Sequence, residues 1–140
     1  MKFSINTVLV LLMSFTAFSC NSQTSSKQTT IENLVLNGTD RWKANEATIT
    51  GIHNMSDMLE NFTDTENLNS YKKLSNNLQK EFYLIFQNCT MSGESHNQLH
   101  HYLHPLKALI ESVESNELKE AMINFEKVKY HLNEFDEFFK

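Results

Sequence analysis

The strongest constraint on the fold is a single run of spacings. Leu68, Tyr71, Leu74, Leu78, Phe82, Ile85 and Cys89 follow one another at intervals of three and four residues over six steps. Only a helix with about 3.6 residues per turn places such a series on one face, so the pattern predicts an amphipathic helix from Thr65 to about Asn88. A helix of that length buries one stripe and therefore needs helical neighbours of similar length.

The rest of the chain supplies them. Trp42, Ile49, Ile52, Met55, Leu59 and Phe62 predict a first helix from about Asp40 to Asn61, with Thr39 or Asp40 as its cap. Leu99, Leu103, Leu106, Ile110 and Val113, with His96 at their head, predict a third helix that begins at Ser92-Gly93. Pro105 lies inside it, where the missing amide leaves the carbonyl of His101 without its partner. A kink is expected there, or a restart with Pro105 at the first helical position. Leu118, Met122, Phe125, Val128, Leu132, Phe135 and Phe139 predict a fourth helix after a cap at Ser115 or Asn116. Strand-like alternation is absent, and the chain has one proline and three glycines. Four long helices with short breaks predict an all-α, up-down-up-down antiparallel four-helix bundle.

The N-terminus carries a different signal. Lys2, the apolar run Val8 to Phe18 and the end FTAFSC form a secretory leader too short to span a bilayer. FTAFSC resembles a bacterial lipobox, which implies cleavage after residue 19 and lipidation of Cys20. Asn21 after the cysteine points to the outer membrane, and so to a periplasmic or cell-surface protein anchored by lipid. The expected organisation is a signal peptide over 1–19, lipidated Cys20 and a polar tether over 20–38, and the bundle over 39–140. Without the leader the formal net charge changes from -5 to -6, because residues 1–19 hold one lysine and no carboxylate. Such a surface repels phosphates and argues against nucleic acid as a partner.

The chemistry-bearing residues concentrate in Cys89 to Leu106, CTMSGESHNQLHHYLHPL, which holds four of the six histidines. His96 and His100 stand one helical turn apart on one face, the spacing of helical metal sites. Cys89 and Met91 lie at the adjoining corner. Imidazole with soft sulfur donors favours copper, then zinc, and a Met/His pair in a bundle also suits a noncovalent haem. His53, His104 and His131 are secondary candidates, with His53 and His104 facing each other across the middle, and His101 points away. The bundle topology gathers Trp42, Cys89, Met91, His96 and His100, with His131 near them, at one end. The competing reading makes these side chains satisfied core and surface groups of a structural or protein-interaction lipoprotein, with an envelope protein as partner. Enzymatic readings are disfavoured. No ExxH pair stands at a core position, as a di-iron bundle requires, and no orienting acid accompanies Cys89 and its histidines.

The segments WKANEATITGIHNM (residues 42 to 55) and CTMSGESHNQLHHYLHPL, with the lipobox-like leader, resemble a family of small, uncharacterised secreted or lipid-anchored helical proteins of Bacteroidetes-type bacteria. The resemblance implies the compartment and assigns no ligand or activity.

Overall fold

The computed structural model describes residues 31–140. The leader, Cys20 and the tether as far as residue 30 lie outside the described residues. Helices α1 (Glu46–Glu60), α2 (Leu68–Asn88), α3 (Gly93–Ser112) and α4 (Leu118–Asn133) run up, down, up and down, with α4 returning against α1, and a short α5 (Phe135–Phe138) follows. The fold is the antiparallel four-helix bundle that the periodicity predicts.

Each stripe is buried where its spacing places it except at Met122, which is exposed while its neighbour Ala121 is buried. Ile52, Met55 and Leu59 of α1 meet Tyr71, Leu74, Leu78, Phe82 and Ile85 of α2, and Leu99, Leu103, Leu106 and Ile110 of α3 close the centre with Val128 and Leu132 of α4. Gly51 of α1 faces α2, with the space a Cβ would need already taken by Ile85. At the far end Phe62, Tyr71 and Phe125 form an aromatic cluster, with Phe62 and Tyr71 centroids 4.8 Å apart.

Helix boundaries differ from expectation where capping or tertiary pairing intervenes. The first helix starts at Glu46, not at Asp40. Residues 42–44 are extended instead, because the backbone of Trp42 pairs with the C-terminus: its amide donates to the Phe138 carbonyl at 2.7 Å and its carbonyl accepts from the Lys140 amide at 2.8 Å. The Ala44 amide donates to the Lys140 carbonyl at 2.9 Å. At the start of α2 the cap is Asn67, whose side chain accepts from the Asn69 amide at 3.0 Å, while Asp64 accepts from Asn67 and from Ser70. Ser115 accepts from the Glu117 amide one residue before α4 begins, so Glu117 holds the cap position. The restart at Pro105 is not taken: α3 runs through it as one helix, with the proline lacking the amide that would bond the His101 carbonyl.

The segment before Trp42 also packs. Ile31 and Leu34 are buried. Both backbone groups of Val35 are held, its amide by Gln98 Oε1 at 2.9 Å and its carbonyl by Trp42 Nε1 at 2.6 Å. This explains why Gln98 is buried on α3, since a buried amide side chain needs such partners. Its Nε2 donates to Glu94 at 2.9 Å, and together with Asn97 it holds the Glu94 carboxyl below its ordinary pKa.

Candidate functional site

The corner between α2 and α3 is built by short-range rules. Cys89 leaves the helix in an extended conformation at the end of α2, and Gly93 turns the chain with φ +65, a value that favours glycine. On the same end, the Asn45 side-chain amide donates to the Asn88 carbonyl, and Trp42 shares a shallow surface recess with Ser92 and Ser95. The gathering of Trp42, Cys89 and the start of α3 is therefore real. Cys89 and Met91 are half-buried and pack against the core.

Three of the predicted ligands touch, but as a chain. Cys89 Sγ lies 3.6 Å from His96 Nδ1, and His96 Nε2 lies 3.0 Å from His100 Nε2, with the two rings nearly perpendicular. Cys89 and His100 thus occupy opposite nitrogens of one imidazole. An ion at Nδ1 would reach the thiol and an ion at Nε2 would reach His100, so each side of the ring offers two His or Cys ligands, short of the three of an open zinc site. Among the described residues no group of three or more His, Cys, Asp or Glu could hold a metal ion. This overturns the expected copper or zinc site at His96, His100, Cys89 and Met91. Haem falls with it, since the centre of the bundle, where a Met/His axial pair would stand, is filled by the fully buried Met55, Leu78 and Leu106.

The remaining histidines disperse. His53 Nε2 lies 3.4 Å from Asp136 Oδ1 at the surface, and exposed His104 lines a groove of about 810 Å³ between α3 and α4, so the two do not face each other. His101, half-buried, lines the same groove. His131 is a core residue: its Nε2 donates to the Tyr102 carbonyl at 2.9 Å, and the Tyr102 hydroxyl donates back to the His131 carbonyl at 3.2 Å. This reciprocal pair locks α3 to α4. Tyr102 has no exposed surface, and nothing in the apolar spacing singles it out from its neighbour Leu103.

The electrostatics follow from burial. His100 is held below the ordinary histidine pKa by desolvation first and then by His96, His101 and His104. His131 is also lowered by burial, with its bond to the Tyr102 carbonyl and the Glu134 carboxylate pulling the other way. A histidine with a folded pKa below the unfolded value of 6.5 binds more protons when unfolded. Its neutral form therefore contributes fully above about 6.5, and stability falls as pH drops from there toward the folded pKa. The melting temperature is expected to be level from pH 8 to 7 and to decline between pH 6.5 and 5. Replacing His131→Gln should flatten that decline while lowering the melting temperature at pH 8. An unchanged slope would remove His131 from the account.

One feature of α2 was not visible in its core stripe. Tyr83 and Phe86 are exposed, at 61% and 44%, although the stripe beneath them is complete. With Phe82 and Ile110 they line a groove of about 710 Å³ between α2 and α3, whose rim carries Lys80, Lys107 and Glu111. The available signal was the presence of aromatic residues at positions that the stripe did not need. His100 stands at one end of this surface, its ring centroid 6.1 Å from that of Phe86.

No family model matches the chain, and comparison with the curated proteins and with the solved structures finds no match.

Proposed function

We propose that this chain is a noncatalytic, lipid-anchored interaction protein of the bacterial envelope, in which Cys20 holds the bundle at the outer membrane and the helical surface receives another envelope protein. The observation that carries the reading is the exposed aromatic pair Tyr83 and Phe86 beside a core that is already closed. Large exposed apolar side chains that line a groove are the usual mark of an interaction surface. The leader and the polar residues after Cys20 support the anchor, since they leave length for a bundle to stand away from the lipid.

Two measurements in a Bacteroidetes-type host test it. Labelling with an alkyne fatty acid should mark the wild-type chain and not Cys20→Ala, and the labelled chain should fractionate with the outer membrane. A photo-crosslinking amino acid at position 83 should give a discrete adduct with an envelope protein, whereas one at exposed position 119 should not. Absence of label removes the anchor. Equal adducts from both positions remove the interaction surface.

A further inference from the structure

The groove between α2 and α3 has a chemistry of its own. Its apolar lining comes from Phe82, Tyr83, Phe86 and Ile110, with Asn76 and Gln79 beside them. Its rim carries Lys80, Lys107 and Glu111, one net positive charge on a chain whose formal net charge is -5. Lys107 pairs with Glu111 one turn along α3. Lys80 has no ion-pair partner among the described residues. The neighbouring carboxylate, Glu81, is turned away to α1, where it accepts from the Asn54 side chain at 2.9 Å. One uncompensated ammonium thus stands beside two exposed aromatic rings.

From this juxtaposition we infer that the α2–α3 groove binds an acidic amphipathic helix of a partner protein, whose apolar side chains enter between Tyr83, Phe86 and Ile110 while its carboxylates meet Lys80 and Lys107. The inference rests on the interaction reading above and names the chemistry of the partner. A trough between two antiparallel helices admits side chains spaced at i and i+4 from a third helix. Carboxylates alongside them complement the rim and disfavour basic competitors.

Two other occupants fit less well. A second copy in a two-fold contact would set this rim, with its net positive charge, against an identical one. A membrane surface engages protruding aromatic residues, whereas here they wall a concave space.

The test uses the purified full chain and three probes. The first is a fluorescein-labelled helical peptide with Leu and Phe at i and i+4 spacing and Glu elsewhere. The second is the same peptide with Lys in place of Glu. The third is a set of phosphatidylethanolamine and phosphatidylglycerol vesicles.

Fluorescence anisotropy should show saturable binding of the acidic peptide at micromolar concentration, weakening with added salt, and binding of the basic peptide at least about tenfold weaker. The Tyr83→Ser, Phe86→Ser double variant should lose about tenfold or more for the acidic peptide, and Lys80→Glu a smaller but clear amount. Both variants change exposed positions, and an unchanged circular dichroism spectrum and melting temperature would show that they fold. If they do not, Tyr83→Gln alone provides the same comparison.

Equal binding of both peptides, no binding of the acidic peptide, or full affinity in the folded double variant overturns the inference. Vesicle binding that the double variant abolishes, without peptide binding, assigns the groove to a membrane. A concentration-dependent dimer abolished by the same variant assigns it to a second copy. If position 83 crosslinks in cells while the acidic peptide does not bind, the interaction reading stands and this chemistry fails.

Discussion

Tyr102→Ala is expected to lower the stability of the bundle by about 3–5 kcal/mol, the range for deleting a large buried aromatic side chain. The ring is wholly buried and lies 4.6 Å from His131, 5.3 Å from Phe135 and 5.9 Å from Phe139, centroid to centroid. Phe135 and Phe139 are themselves stacked at 5.0 Å. Truncation therefore empties the centre of a four-ring cluster that joins α3, α4 and the C-terminal turn. The hydroxyl contributes a smaller share. It donates to the carbonyls of His131 and Leu132 at 3.2 and 3.4 Å, near the end of α4 where carbonyls run short of helical donors. Tyr102→Phe keeps the ring and should cost about 1 kcal/mol. Urea unfolding followed by circular dichroism separates the two, with the midpoint moving and the slope held. An alanine variant within about 1 kcal/mol of wild type would mean that the cluster collapses to fill the space, contrary to this account. Against a total of about 5–15 kcal/mol for a domain, the full loss would be severe.

Gly51→Val should destabilise by about 2–3 kcal/mol through overpacking, against the direction of helix propensity. A Cβ at residue 51 would lie 2.5 Å from Ile85 Cγ1 and 2.9 Å from its Cδ1. The nearer atom is close to the backbone of α2 and cannot swing aside as a side-chain tip would, so the two helices must separate. Alanine gains about 0.8–1.0 kcal/mol of propensity over glycine inside a helix. Overpacking typically costs about 1–3 kcal/mol, so Gly51→Ala should also be net destabilising, by less than valine. A double-mutant cycle with Ile85→Ala tests the cause. That substitution alone should cost about 2–5 kcal/mol. If contact with Ile85 is the source of the strain, the double variant loses less than the sum of the two singles. Additivity would place the strain elsewhere.

Both positions show where reading a sequence stops. The stripes of α2, α3 and α4 were legible because helical period and apolar identity together specify a buried face, and the observed core contains their apolar residues except Met122, which is exposed. Gly51 carried no such signal, since a glycine in a helix looks like a weak point until the partner helix is placed against it. Tyr102 and His131 belonged to separate helices, and neither shows alone that each satisfies the other's carbonyl. Trp42 has helical spacing to Ile49, yet its backbone is claimed by Phe138 and Lys140 from the other end of the chain. Local pattern loses there to hydrogen bonds that exist only after the bundle has closed. The Lys140 ammonium reinforces the closure by bridging both oxygens of Asp40 at 2.7 Å, and with the Arg41 amide it holds that carboxyl below its ordinary pKa. The pair is exposed and adds little by itself.

The candidate site divides along the same line. By itself the amino-acid order determined the four helices, the up-down-up-down topology, and the placing of Cys89, His96 and His100 at one corner, because period and short connections leave few alternatives. Only the tertiary structure decided which nitrogen of His96 faces which neighbour. Ring orientation depends on the packing of α2 against α3, and that packing directs the thiol and the second imidazole to opposite edges. The same packing leaves Tyr83 and Phe86 outside the closed core, beside the lysines of the groove, where sequence spacing alone had assigned them no role.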